Sequence, residues 1–183
     1  METTLRYFRV NEQFFVFSRR APYMVLRDVG TDVWSDSHRE RERIIAEFCV
    51  DLIDKYHYRL AQLHIRELIP IVSQEGWKYP EADILVEGVD GNPRLLVKAL
   101  GRTDYENNLN AGIEELLMLA RAIPSRKTTS LFVIAYTRWY EDHQLNEKYT
   151  VINSSVFPTI EAWIGAGRPI EEKVPLFGEN FLA

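Results

Sequence analysis

Apolar residues recur at every third or fourth position in two segments, and this spacing predicts two amphipathic helices. The first begins at an N-cap provided by Asp36 or Ser37, and its apolar stripe consists of Ile45, Phe48, Leu52 and Tyr56. The second runs from about Glu106 to Ile123 and is stopped by Pro124, which cannot continue a helix. Each helix has one apolar face to bury.

Between the two helices, the pattern predicts a β-hairpin. Residues 82–88 and 94–100 are largely apolar, and the segment 90–93, Asp-Gly-Asn-Pro, has the composition of a tight turn. After the second helix, residues 129–136 form a continuous apolar run, typical of a central strand covered on both faces. A strand–helix–strand unit of this kind favours a right-handed crossover and parallel pairing.

The ends of the chain are less regular. Residues 4–29 are rich in aromatic and β-branched residues and predict two or three short strands, the third at 23–26. Residues 58–71 mix helical and strand spacing, so their type stays open. Toward the C-terminus we expect a strand at 150–152, a short helix around 158–164 and an extended or loosely packed arm at 169–183.

The length of 183 residues suits one domain, with N-terminal strands at 1–35, a core at 36–140 and a C-terminal extension at 141–183. The mixed-charge run at residues 39–43 is expected to be a solvated helix face. No apolar stretch approaches the roughly 20 residues of a membrane helix, and the N-terminus lacks a signal pattern. We therefore predict a cytoplasmic protein without a membrane partner.

Charge and cysteine content narrow the chemistry. The single cysteine, Cys49, excludes an internal disulfide and any multi-cysteine metal site, and its apolar setting predicts a buried thiol. The net charge of −5 weakens a nucleic-acid interpretation without removing it, because enzymes that hold Mg²⁺ with carboxylates can be acidic. Lys78, Arg102 and Arg138 are candidate nucleic-acid contacts, since aromatic residues adjoin two of them. Alternatively, those aromatics close the ends of the sheet.

The order helix, strand with an early acid, tight turn, strand, helix, strand resembles the core of the PD-(D/E)XK restriction-endonuclease-like superfamily. The N-terminal nuclease domain of type I restriction enzyme R subunits is similar in local sequence to this chain at residues 80–86, 90–97 and 112–123. The resemblance covers roughly residues 39–140. It implies an α/β fold with a mixed central sheet flanked by helices, to which the N-terminal strands are an addition.

In that family, an aspartate on one strand and a glutamate on the next hold Mg²⁺, and a lysine two residues after the glutamate assists. Asp83 matches the aspartate, and Lys98 is the candidate lysine. Counted from Pro93, however, the glutamate position falls on Lys98 and the lysine position on Leu100. With Lys98 as the lysine, Leu96 takes the place of the glutamate. Either alignment of the family motif therefore lacks one of the two carboxylates that hold the metal.

A carboxylate elsewhere could compensate for the missing one. Glu87, Glu106 and Glu114 are the candidates to join Asp83 at a Mg²⁺ ion, on the same strand or the following helix. The helix also departs from the family, because Glu115 stands where related nucleases have a glutamine, and the tyrosine that follows it is replaced by leucine.

Three functions remain open from the sequence. The first is a degenerate, non-cleaving nuclease-like domain that binds nucleic acid or a protein partner. The second is an active Mg²⁺-dependent DNA endonuclease with a rearranged metal site. The third is a structural or oligomeric module built on the aromatic N-terminal strands. A basic cleft would favour the first two and a flat apolar patch the third. A homodimer is the default assembly, because two-fold dimers are the commonest oligomers.

Overall fold

A computed structural model describes residues 5–10, 13–18, 36–73, 76–123, 130–142 and 144–177. The described helices and strands follow in chain order: β1 (Leu5–Val10), β2 (Gln13–Ser18), α1 (Asp36–Asp54), β3 (Leu63–Leu68), β4 (Ile71–Ser73), β5 (Gly76–Lys78), β6 (Glu81–Glu87), β7 (Pro93–Ala99), α2 (Arg102–Ala122), β8 (Phe132–Glu141), β9 (Gln144–Asn153) and α3 (Ile160–Gly165). A single turn of 3₁₀ helix, Leu60–Gln62, precedes β3.

Five strands form one mixed sheet in the order β3-β6-β7-β8-β9. The predicted hairpin is confirmed as the antiparallel pair β6–β7. The predicted parallel pairing across α2 is confirmed as β7–β8, where Leu95 lies beside Phe132 and Ala99 beside Tyr136. Because helices flank this mixed sheet, the α/β fold class is confirmed.

The two helices cover opposite faces of the sheet. The apolar stripe of α1, which includes Ile45, Phe48 and Leu52, packs with one set of strand residues, and that of α2, which includes Ile113 and Leu116, packs with the other. Strand residues alternate between the faces, since side chains on a strand point to opposite sides in turn. Each of the inner strands therefore needs apolar residues at nearly every position.

Several boundaries differ from the predictions. Strand β9 begins at Gln144 rather than at residue 150, so the predicted C-terminal extension supplies the fifth strand of the sheet. Its first half is partly exposed and polar, so a search for apolar residues does not identify it as a strand. Helix α2 begins at Arg102, one turn before the predicted start, and Tyr105 in that turn is buried with its hydroxyl 2.8 Å from Thr150 Oγ1.

The segment 58–71, left open by its spacing, contains the 3₁₀ turn and then β3. Arg66 in the middle of β3 has a φ of 55°, in the left-handed region that side chains other than glycine rarely adopt. Pairing with β6 holds at Ile65–Ile84 and at Glu67–Ala82 but is interrupted between them. This interruption explains why neither period described the whole segment.

Of the two alternatives predicted for the C-terminal arm, extended or loosely packed, loose packing does not apply to residues 174–177. Val174 is buried in the core on the α1 side. The Tyr58 hydroxyl donates to the Pro175 carbonyl oxygen at 3.1 Å, and Phe177 N donates to the Tyr56 carbonyl oxygen at 3.0 Å. These contacts tie the arm to the segment that follows α1.

At the N-terminus, β1 and β2 form an antiparallel hairpin in which Phe8 lies beside Phe15. The two-strand prediction is thereby confirmed, whereas the third strand at 23–26 lies outside the described residues. Helix α3 confirms the short C-terminal helix. Within the described parts of the chain, no helix combines the length and apolarity that crossing a membrane requires.

Cys49 lies in α1 and is buried, as its apolar setting predicted. Burial disfavours the thiolate and raises the pKa of this thiol. We therefore expect the folded protein to resist a thiol-specific chromogenic reagent at neutral pH and to react fully once urea unfolds it. Because Cys49 is the only cysteine, the labelling reports on this site alone. Rapid stoichiometric labelling of the folded chain would contradict the burial of α1 against the sheet.

Candidate functional site

Asp83, the acid singled out by sequence, lies in β6 and is only 1% exposed. Its carboxylate accepts hydrogen bonds from Arg41 Nε at 3.3 Å, from Arg41 Nη2 and from the backbone N–H of Ala99 at 2.7 Å. The guanidinium therefore meets both carboxylate oxygens, the geometry that makes arginine–carboxylate pairs strong and directional. The negative charge of Asp83 is neutralised by a residue of the chain itself.

The strand pairing of β6 is interrupted at Asp83 on both sides, toward β7 and toward β3. The β6–β7 pairing extends to Ile84–Val97 and stops there, so the Asp83 side chain supplies the acceptor for Ala99 N. On the other side, the positive φ of Arg66 interrupts the pairing with β3. Unusual backbone conformations of this kind are costly and tend to be found at functional sites.

The first turns of α1 attach to three different elements through successive side chains. Glu40 Oε1 accepts a hydrogen bond from Arg102 N at 3.5 Å, where a negative charge suits the N-terminus of α2. Arg41 pairs with the strand β6, and the buried Glu42 pairs with Arg66 of β3. The prediction of a solvated charged face at residues 39–43 was wrong for Glu42, because this side chain is buried in an ion pair with Arg66 on the sheet.

Lys98, the candidate catalytic lysine, faces α2 instead of a metal ligand. Its Nζ donates to Glu115 Oε2 at 2.5 Å, and its side chain is 18% exposed. Leu96 and Leu100, the alternative positions in the two reading frames, are buried against α2. In neither alignment does β7 carry the second carboxylate of the family, because that position falls on Lys98 in one and on Leu96 in the other.

The other carboxylates predicted as metal ligands lie at the end of β6 and on the exposed face of α2. Glu87 ends β6, four residues from Asp83, or roughly 13 Å along an extended strand, and contacts His64 Nε2 at 3.2 Å. Glu106 and Glu114 are exposed on α2. Over the part of the chain that the structure describes, no three His, Cys, Asp or Glu residues are grouped as a metal site would need. At Asp83 itself, Arg41 occupies both carboxylate oxygens, so the pair as it stands does not offer Mg²⁺ a free carboxylate there.

The three candidate nucleic-acid contacts have different surroundings. Lys78 is exposed on the short strand β5. The Arg102 guanidinium lies over the Trp139 ring, 4.8 Å from its centroid, and Arg102 Nη1 is 3.5 Å from a carboxylate oxygen of Glu141. The Arg138 side chain is only 8% exposed. A phosphate could reach Arg102 by displacing Glu141, whereas Arg138 is turned into the protein.

Arg138 is the centre of an ionic cluster that the sequence did not reveal. Its guanidinium contacts Asp51, lies 3.1 Å from Glu147 and lies 3.6 Å from Glu47. Burial raises the pKa of Glu47 and Asp51, and the nearby positive charge of Arg138 opposes that rise. For Glu147, burial is outweighed by hydrogen bonds from Arg138 and Lys55, which lower its pKa. The cluster joins α1 to β8 and β9.

The partners of Asp83 and Lys98 were not predictable from a local sequence pattern. Arg41 lies 42 positions before Asp83, and no local spacing connects them. Glu115 had a weak signal, because it occupies the place of a family residue on the helix that follows the hairpin. Its contact with Lys98 shows that α2 presents this position to β7.

A groove opens between the end of β3, the hairpin β4–β5 and the end of α2. It encloses about 700 Å³ and is lined largely by apolar side chains, among them Leu68, Ile69, Val72, Trp77, Met118 and Ile123. Trp77 is 64% exposed and Val72 69% exposed. Exposed apolar residues grouped around a hollow are typical of a binding surface.

Comparison with known proteins assigns no family to this chain. The contacts of Asp83 and Lys98, together with the apolar groove, are therefore the features from which a function can be inferred. No protein-family model matches this chain, and no curated protein sequence matches it significantly.

Proposed function

We propose that this chain is a non-cleaving relative of the PD-(D/E)XK nucleases that serves as a protein-binding domain. The observation that carries the proposal is the ion pair between Asp83 and Arg41, which takes up the carboxylate that a nuclease would offer to its metal. In this proposal the family scaffold is kept and its metal chemistry is lost.

Electrostatics supports the loss of metal binding. Mg²⁺ is held by several oxygen ligands at short distances, and here a fixed positive charge occupies the first of them. Burial works against the charged form of Arg41, but the attraction of Asp83 outweighs it and raises the pKa of Arg41, so the guanidinium stays charged. A divalent ion placed at Asp83 would meet repulsion of a few kcal/mol from Arg41 at an intermediate dielectric.

A protein partner is favoured over nucleic acid by the distribution of charge. The net charge is −5, which opposes approach to a phosphate backbone. Arg138 is enclosed by carboxylates, and Arg102 is paired with Glu141. The groove beside Trp77, in contrast, offers apolar surface, from which protein contacts gain most of their free energy.

One observation favours the runner-up, a cleaving enzyme with a rearranged site. Glu81 and Glu115 both act electrostatically on Arg41 and raise its pKa, so they lie in its neighbourhood along with Asp83. If Arg41 moved away, Glu81 and Glu115 would be the candidate ligands, with Asp83, for a metal ion. In that enzyme, Glu115→Gln would abolish cleavage, whereas Glu106→Gln would not.

Metal-dependent cleavage tests the proposal. The full chain is incubated with supercoiled plasmid and with single-stranded DNA in Mg²⁺ or Mn²⁺, beside an Asp83→Asn variant that keeps the side-chain size. We expect the wild-type chain to cleave no more than the variant, because neither presents a free carboxylate pair. Cleavage by the wild type that requires metal and disappears in Asp83→Asn would overturn the proposal.

A further inference from the structure

The groove described above is bordered by a hairpin with little support of its own. Strands β4 and β5 have three residues each and, among the described strands, pair only with each other. A two-stranded hairpin is marginally stable in water unless it packs against something. Val72 and Trp77, which lie side by side across this hairpin, are both largely exposed. The hairpin therefore presents apolar side chains that an additional surface could cover.

The same surface contains a hollow and a projection. The hollow is lined by Ile69, which follows β3, by Leu85 of β6 and by Met118 of α2, and the projection is the indole of Trp77, which also lines it. A two-fold contact uses one patch on both subunits, so that patch must be complementary to itself. A surface with a large apolar side chain beside an apolar hollow meets this requirement, because each copy can insert its own side chain into the other.

The charged residues at the groove also suit a two-fold contact. Glu67 on β3 and Arg121 in the last turn of α2 both line it, and they carry opposite charges. In a two-fold contact, Glu67 of one copy that approaches Arg121 of the other implies the reciprocal pair as well. One acid and one base on the same patch are thus complementary to a second copy of the patch.

We propose that this groove is a homodimer interface, in which two copies of the chain meet with Trp77 of each seated in the groove of the other. The proposal rests on the proposed function only in taking a protein, and not nucleic acid, as the partner. A specific interface buries about 800 Å² on each partner. The exposed ring of Tyr79, next to β5, extends the apolar surface toward that size.

The first test measures the mass of the full chain in solution by light scattering and sedimentation velocity. We expect a dimer for the wild type and a monomer for Trp77→Ser at the same concentration, with an unchanged far-ultraviolet spectrum. Ile170→Ser is the matched control, because Ile170 is also exposed but is not among the residues that line the groove, and it should stay dimeric. A wild type that remains monomeric at about 100 μM overturns the proposal, and so does a Trp77→Ser chain that remains dimeric.

A charge exchange gives a second test that does not depend on the apolar contact. Glu67→Arg and Arg121→Glu each place like charges together twice in the dimer, so each variant alone should dissociate at least tenfold more readily than the wild type. Mixing the two variants should restore association as a heterodimer, because every pair is then opposite in sign. Single variants that associate as well as the wild type, or a mixture that fails to recover, would place the interface elsewhere.

These tests have no nuclease readout. A chain that dimerises through Trp77 and also cleaves DNA would refute the proposed function and leave the interface intact. A chain that is monomeric and does not cleave would refute the interface alone, and the groove would then be assigned to a different protein.

Discussion

Replacing Asp83 by alanine is expected to lower the free energy of unfolding by about 3 kcal/mol, measured by urea unfolding at pH 7. The substitution removes the acceptor of the Ala99 N–H and leaves the Arg41 guanidinium without its carboxylate. We place the loss at the lower end of the range for broken buried pairs, because the Arg41 side chain is 34% exposed and water can partly replace its partner. In a nuclease with a metal site, the same change would chiefly abolish activity.

A double-mutant cycle separates the pair from the general cost of altering a buried position. Arg41→Met keeps much of the side-chain bulk, and the double variant with Asp83→Ala should be more stable than the sum of the two single losses predicts, with a coupling of about 1–3 kcal/mol. Glu106→Ala, at an exposed acid, is the control and should change stability by less than about 0.5 kcal/mol. A loss below about 1 kcal/mol for Asp83→Ala would show that the ion pair does not stabilise this fold.

Arg138→Met should destabilise the protein by about 3–5 kcal/mol at pH 7, because it leaves the carboxylates of Glu47, Asp51 and Glu147 without their shared cation. Lys148→Met makes the same kind of change on the neighbouring strand. The Lys148 side chain is about half exposed, so this control should stay within about 0.5 kcal/mol of the wild type.

The loss caused by Arg138→Met should depend on pH. Burial already raises the pKa of Glu47 and Asp51, and removal of Arg138 takes away an attraction that opposes the rise. A carboxyl group whose pKa is higher in the folded state stabilises the fold below its unfolded pKa, and that stabilisation is lost as pH rises through the folded pKa. The variant should therefore recover stability relative to the wild type as the pH falls from 7 toward about 5. Unfolding curves whose separation is the same at every pH in that interval would contradict this assignment of charge.

The sequence predicted the elements whose pattern is local. The hairpin of β6 and β7 and the amphipathic α1 and α2 were predictable, because a turn composition or a helical period lies within a short window. Strand β9 was recognised only in its buried second half, since its exposed first half carries polar residues. Strand β3 was not typed, because Arg66 departs from extended geometry in its centre.

The candidate site was predictable in its position and not in its contacts. Asp83 could be placed on a strand before the turn, and the lack of a carboxylate on β7 could be read directly. The pairing with Arg41 could not, because a contact between α1 and β6 depends on how the helix docks on the sheet. The burial of Glu42 was missed for the same reason: a run of mixed charges at a helix start is usually solvated, and only the position of Arg66 makes this one different.

In the function proposed for this chain, Arg41, and not a metal ion, neutralises Asp83. Thermal unfolding of the full chain with and without Mn²⁺ at about 10 mM tests it directly, because a ligand at one hundred times its dissociation constant would add about 2.7 kcal/mol to the stability of the folded state. We predict that the wild type and Asp83→Asn each keep the same Tm in metal and in a chelator. A saturable rise in the Tm of the wild type that is absent in Asp83→Asn would show that a metal reaches this carboxylate and would contradict the account.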